Sequence, residues 1–266
     1  MPSLTVNGIR LNVIDEGDGP PLVFLHGFPL DHSMWDGQRR EFRNTHRVII
    51  PDLRGLGRSD VSPVPVTMDL FADDVAALLD AVGVTEPVIL CGLSMGGCVA
   101  FAFVRRHASR LKGLILCDCR AIADTPEIVA NRRKLAEKVL TDGPPAVVET
   151  MMPKLFGPTT NEKQPQVVDA VRNVMLASSS RGIAAAQLAL ADRPDSTPTL
   201  AEIKVPTLII VGEHDAISPA AEMQGFAAAI PGATAVVIAG AGHMAPTEKP
   251  ADVNRAIRAW MKDAQG

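Results

Sequence analysis

Cysteine is scarce, and nothing around it suggests a metal: Cys91, Cys98, Cys117 and Cys119 are the only four in 266 residues, all in apolar segments. Without a C-x-x-C pair or companion histidines no zinc site is expected, and the four read as buried, reduced thiols. Positive charge is not in surplus either. The 26 Lys and Arg are outnumbered by 30 Asp and Glu, for a formal charge of −4. The chain therefore lacks the cation excess that neutralises a phosphate backbone or an anionic bilayer, which excludes nucleic acid and membrane as expected partners. Residues 1–19 have neither the basic start nor the apolar run of a secretion signal, so the expected compartment is the cytoplasm. Only residues 87–104 are apolar enough to imitate a membrane span. Gly92, Ser94, Gly96 and Gly97 interrupt that run midway, which suits a buried strand, a turn and a buried helix.

What is abundant is core material. Hydrophobic residues make up 47% of the chain and charged residues 21%, enough for one large α/β domain or for a domain plus a small insertion. Residues 4–6 and 9–16 flank Asn7-Gly8, a pair suited to the positive φ angles of a type I′ hairpin. Short apolar runs follow at 22–25, 48–50, 88–90, 111–117, 207–211 and 235–238. Their lack of polar alternation fits parallel strands buried on both faces. Between them lie helical patterns. In residues 69–82, Phe71, Val75, Leu78, Leu79 and Val82 form one apolar stripe, with Thr67 as N-cap. Near the end, Pro250 suits a first helical turn, and Val253, Ile257, Trp260 and Met261 share a face.

Residues 120–194 break the alternation. They contain no convincing strand, and Gly143-Pro144-Pro145, Pro153, Gly157-Pro158 and Pro165 are expected to cut them into short helices. Val167, Val171, Val174 and Met175 give one of these an apolar face. The expected division is a core of residues 1–119 and 195–266 with a helical cap, residues 120–194, inserted between.

The strongest local signal is Gly92-Leu93-Ser94-Met95-Gly96, set between an apolar run and a helix-like run. A serine lifted above a sheet at a sharp strand-to-helix turn needs neighbours without bulky Cβ groups two positions either side, and both are glycine. The helix that follows would aim its free N–H groups at the same spot.

On this motif the sequence resembles the α/β-hydrolase family, and further segments carry the likeness. His26-Gly27-Phe28-Pro29 is similar to the family's oxyanion loop, and Asp52-Leu53-Arg54-Gly55-Leu56-Gly57-Arg58-Ser59 to the loop after its next strand. Gly212-Glu213-His214-Asp215 resembles the acid loop, and Gly240-Ala241-Gly242-His243 the histidine loop. The resemblance implies an α/β fold with a mostly parallel eight-stranded sheet, helices on both faces and a helical cap. It also implies no cofactor and no metal, and a triad of Ser94, Asp215 and His243 in the family's chain order. A serine hydroxyl needs a base to take its proton, here His243, and a carboxylate to orient that base, here Asp215. The backbone N–H groups of Phe28 and Met95 would form the oxyanion hole. Asp118, at the end of the 111–117 run, is a rival for the acid. His26 is expected to brace the oxyanion loop, His32, His46 and His107 to be solvated, His214 to point away, and Asp52 and Arg54 to pin the loop between them.

Residue types narrow the chemistry within the resemblance. Epoxide hydrolases and haloalkane dehalogenases attack with aspartate. The former also use cap tyrosines, and this chain has no tyrosine at all. The latter use halide donors, often tryptophan, whereas Trp35 and Trp260 lie outside the cap. Among serine members, the segment from Phe28 to Trp35 together with the elbow is most similar to small bacterial aryl esterases. That group includes cofactor-free haloperoxidases and perhydrolases, with Pro29 where a loop carbonyl would favour peroxide as nucleophile. Enol-lactone hydrolases share the same motifs, and Arg132, Arg133, Lys134, Arg172 or Arg181 would have to supply a cation for their anionic substrates. A non-turnover small-molecule receptor on the same scaffold is the alternative outside catalysis. The expected partner is a small-molecule ester or lactone.

Overall fold

Asn7 and Gly8 adopt φ values of 44° and 76°, the paired positive angles of a type I′ turn, and fold strand β1 (Ser3–Val6) back on β2 (Ile9–Glu16). The computed structural model describes residues 3–264. Six more strands complete one sheet: β3 (Pro21–Leu25), β4 (Arg47–Pro51), β5 (Val88–Leu93), β6 (Leu111–Cys117), β7 (Thr207–Gly212) and β8 (Thr234–Ile238). Their order is β1-β2-β4-β3-β5-β6-β7-β8, with β2 antiparallel to both neighbours and every other pairing parallel. This is the eight-stranded, mostly parallel sheet that the sequence implies.

The helices are α1 (Asp36–Phe42), α2 (Met68–Ala81), α3 (Met95–His107), α4 (Pro126–Asp142), α5 (Pro145–Leu155), α6 (Pro158–Lys163), α7 (Pro165–Ala177), α8 (Ser180–Ala191), α9 (Thr197–Leu200), α10 (Ala220–Ala229), α11 (Ala245–Glu248) and α12 (Pro250–Ala264). Helix α2 starts where the Thr67 hydroxyl accepts the Leu70 N–H, and buries Phe71, Val75, Leu78 and Leu79. Helix α12 buries Val253, Ile257, Trp260 and Met261. The central strands β3, β5 and β7 are buried at every position, which is why they carry no polar alternation. Strand β8 departs from that expectation. It is the terminal strand of the sheet, and Thr234, Ala235 and Val237 are exposed.

Helices α4 to α9 all lie between β6 and β7. Proline occupies the first turn of α4, α5, α6 and α7, where its missing N–H costs nothing. Pro153, expected to end a helix, instead lies inside α5. The carbonyl deprived of an N–H there belongs to exposed Glu149, where solvent can replace the lost bond. Among the described residues no single helix is long and apolar enough to cross a membrane.

The inserted helices meet the core at a contact that admits no side chain. A Cβ on Gly182, in the first turn of α8, would lie 1.6 Å from the Gly55 carbonyl oxygen. Because the obstacle is backbone, relief requires helix and loop to separate. Gly182→Ala is therefore expected to destabilise the protein by about 1–3 kcal/mol, the usual cost of overpacking, read as a lowered urea midpoint with unchanged slope. An unchanged midpoint would show that the two segments slide apart freely.

Candidate active site

Ser94 sits at the junction of β5 and α3 with φ 52° and ψ −110°, a conformation that a residue bearing a Cβ rarely adopts. Its neighbours make room for it. A Cβ on Gly92 would lie 2.3 Å from the Gly96 carbonyl oxygen, and one on Gly96 2.3 Å from that of Leu25. The Ser94 N–H donates to Cys117 C=O at 3.0 Å, tying the turn to the adjacent strand.

The turn brings Ser94 to His243, whose Nε2 lies 2.9 Å from Ser94 Oγ. On the other side of the ring, His243 Nδ1 is 2.9 Å from Asp215 Oδ2. The remaining oxygen, Asp215 Oδ1, accepts the Ile217 and Ser218 N–H groups at 2.7 and 2.9 Å. A carboxylate only accepts, so Nδ1 carries the ring proton and Nε2 is free to accept from the serine hydroxyl. His243 and Asp215 are buried and Ser94 is half-buried. The structure thus brings these three sequence-predicted residues together.

Asp118, the rival acid, is not joined to His243. It lies fully buried with φ 44°; its Oδ1 accepts the Gly212 N–H at 2.7 Å, and its Oδ2 has no hydrogen-bond partner. Burial, reinforced by the nearby Asp215 carboxylate and Cys117, pushes its carboxyl well above the usual range, which disfavours the charged form. The Ser218 hydroxyl donates to the Asp118 carbonyl at 3.1 Å, and the residue braces the loop that presents Asp215.

The two expected oxyanion donors, Phe28 N–H and Met95 N–H, make no hydrogen bond to an acceptor among the described residues. Met95 opens α3, so its N–H is one of the donors a helix start leaves unpaired. The Phe28 loop is set from two sides. His26, fully buried, accepts the Leu53 N–H at Nε2 (2.9 Å), which leaves Nδ1–H to donate to Gly27 C=O (2.9 Å). Burial lowers its pKa, consistent with a neutral ring that links two loops. From the other side, Ser178 Oγ, just past the end of α7, lies 3.1 Å from the Pro29 carbonyl oxygen and 3.0 Å from that of Val174, with one proton to donate to either.

Two side-chain expectations, for His32 and His107, need correction. His32 is buried rather than solvated: its Nδ1 lies 2.7 Å from Asp52 Oδ1, and that hydrogen bond raises its pKa despite burial. Burial alone would raise the Asp52 carboxyl, but the His32 side chain and the Arg58 and His32 N–H groups outweigh it and hold it at about 2. Asp52 does pin the loop that follows it, its Oδ2 accepting the Arg58 N–H at 2.9 Å and its carbonyl the Ser59 hydroxyl at 2.6 Å. Arg54 forks onto Asp74 of α2 at 2.7 Å through both Nε and Nη2, while Asp52 faces Asn12 and His32. His107 is half-buried and pairs with Asp73 at 2.8 Å, rather than standing free in solvent. His214 is exposed, as expected, and all four cysteines are free and buried.

Sequence patterning also passed over Glu248. Buried in α11, it accepts the Gly242 N–H on Oε1 at 2.7 Å and the Gly157 N–H on Oε2 at 2.8 Å. Glutamate five residues after a histidine carries no signal of its own, because its partners are backbone groups 6 and 91 positions away. The cationic candidates of the inserted helices are mostly engaged or exposed. Arg132 and Arg193 share Asp124 at 2.5 and 2.6 Å, and Arg133 pairs with Asp192 at 2.5 Å. Lys134 and Arg181 are exposed, and half-buried Arg172 stands 4.0 Å from Asp169.

Known proteins of similar sequence and fold identify the family. The chain is 34% identical over 264 residues to the AB hydrolase superfamily protein YisY of Bacillus subtilis, covering 95% of this chain and 96% of that one. A thermophilic esterase from Thermogutta terrifontis superposes with a TM-score of 0.96 at 46% identity, covering 99% of this chain and 97% of its own. The enol-lactonase from Burkholderia xenovorans LB400 does so with a TM-score of 0.91 at 30% identity, covering 98% and 100%. A family model for the alpha/beta hydrolase fold matches residues 20–250, and with these likenesses it establishes that the chain belongs to the alpha/beta hydrolase family.

Proposed function

We propose that this hydrolase cleaves small carboxylic esters through an acyl-enzyme on Ser94. The observation that carries the reading is the unbroken relay from Asp215 through His243 to Ser94, with both links at 2.9 Å. In it, His243 Nε2 takes the hydroxyl proton as Ser94 Oγ attacks the acyl carbon, and Asp215 stabilises the imidazolium that results. The negative charge that develops on the former carbonyl oxygen is met by the unengaged N–H groups of Phe28 and Met95. His243 then returns its proton to the departing alcohol. Water, deprotonated by the same imidazole, releases the acid and restores the serine. Residues 120–194 would cover the site as a cap and shape the acyl and alcohol pockets.

Esters are preferred to anionic enol-lactones on one observation. Among the described residues the two buried guanidinium groups, Arg54 and Arg193, are committed to Asp74 and Asp124, and an anion desolvated at Ser94 would need a buried cation of its own.

The test is a steady-state assay on a short-chain p-nitrophenyl ester beside an anionic lactone. Repeated turnover of the ester is expected. A single slow burst with retained product would favour the receptor alternative, and faster lactone turnover would reverse the substrate preference. The pH profile adds a second check: kcat/KM is expected to fall toward acid pH, because a protonated imidazole cannot take the Ser94 proton. A profile flat down to about pH 4 would rule out histidine in that role.

A further inference from the structure

The loop carrying His243 is fastened by a carboxylate that lies outside the triad. Glu248 is 3% exposed, and each of its oxygens grips a different segment: Oε1 the Gly242 N–H, Oε2 the Gly157 N–H. Gly242 immediately precedes the histidine, and Gly157 is the turn between α5 and α6. The two segments are pressed together at that point. A Cβ on Gly242 would lie 2.5 Å from Gly157 N and 2.5 Å from Phe156 C, and one on Gly157 would lie 2.4 Å from the Gly240 carbonyl oxygen. On the other side of the histidine, the Met244 N–H donates to Leu155 C=O at 3.1 Å. His243 is thus flanked by two links to the same turn, and one of them passes through a buried acid.

Burying a carboxylate is costly unless its oxygens are well served, and charge-assisted bonds from two backbone N–H groups offset that cost. The arrangement is also specific. Glycine at 242 and 157 lets the backbones meet closely but leaves each short of side-chain packing, so the carboxylate's reach sets their separation.

The geometry points to Glu248 as a positioning residue of the reaction, one that fastens the histidine loop to the α5–α6 turn and so sets His243 Nε2 at hydrogen-bond distance from Ser94 Oγ. This inference rests on His243 being the base. Its consequence is that the inserted helices form part of the mounting of the catalytic histidine as well as a cover for substrate.

The test compares Glu248→Gln with Val253→Ala, a core truncation in α12. Gln keeps the length and one acceptor but turns an NH2 group toward one of the two N–H donors. For Glu248→Gln, kcat on a p-nitrophenyl ester is expected to fall by about 100-fold, the usual result of displacing a reacting group by roughly 1 Å. KM should stay within about twofold, since no group that binds substrate uniformly is removed. Val253→Ala should lower the melting temperature while leaving kcat intact. If Glu248→Gln does not fold, Glu248→Asp is read in the same way, because it keeps the charge and loses the reach to span both segments. Wild-type kcat in the variant that folds, or a loss confined to KM, overturns the proposal. An enzyme that Ser94→Ala inactivates but Glu248→Gln does not would sink this inference alone and leave the ester hydrolase reading standing.

Discussion

Ser94→Ala is expected to reduce kcat on a short-chain p-nitrophenyl ester by about 10⁶-fold, the scale seen when a nucleophile that acts as a unit with its base is removed. The loss is large because His243 and Asp215 then have no proton to move and no covalent intermediate to form. The residue left behind would be background catalysis by Phe28 and Met95 N–H groups acting on water, about 10³-fold over solution or somewhat more. The fold should not suffer. Ser94 Oγ makes its hydrogen bond to the His243 ring, and alanine keeps the Cβ that the φ of 52° already accommodates. The measurement is therefore paired: the melting temperature should match wild type within a few degrees while turnover disappears. Retained turnover would overturn the whole assignment, and a collapsed melting transition would move Ser94 from chemistry to structure.

Ser94 is readable from sequence because the constraint on it is local. An elbow with φ 52° tolerates only glycine at the flanking positions, where a Cβ would strike backbone at 2.3 Å, so the geometry is written within five residues. The central strands are legible for a related reason. Burial on both faces leaves no place for polar alternation, and residues 22–25, 88–90 and 207–211 appear as plain apolar runs. Strand β8 shows where this inference stops, since its run of Ala and Val looks the same whether another strand follows or solvent does. Long-range pairing is what a single sequence hides. Nothing near Arg54 indicates that its partner is Asp74 on α2, and nothing near His32 indicates that Asp52 buries it. Glu248 belongs with these, because its meaning comes from two N–H groups brought to it by the fold.

The choice between the two acids is the sharpest case of that limit, and the structure turns it into an expected contrast. Asp118 and Asp215 both follow apolar strands and both are buried, yet only Asp215 reaches His243. Asp215→Asn should lower kcat by about 10⁴-fold, because the amide would favour the wrong imidazole tautomer and offer no charge to the imidazolium. Asp118→Asn should leave kcat within a few-fold, since Asp118 bonds the Gly212 N–H and not the His243 ring. Its effect belongs to stability instead. Burial raises the Asp118 carboxyl in the folded state, so the folded protein keeps a proton that the unfolded chain releases at roughly pH 4. The contribution of this group is fully present below that pH and is lost as pH rises toward the folded-state value. Replacing Asp118 with asparagine should therefore flatten the decline of stability from about pH 4 upward. Urea unfolding of both proteins at acidic and neutral pH measures this directly, and kinetics on the same samples measure the first contrast. A 10⁴-fold loss in Asp118→Asn with a mild Asp215→Asn would exchange the roles of the two acids.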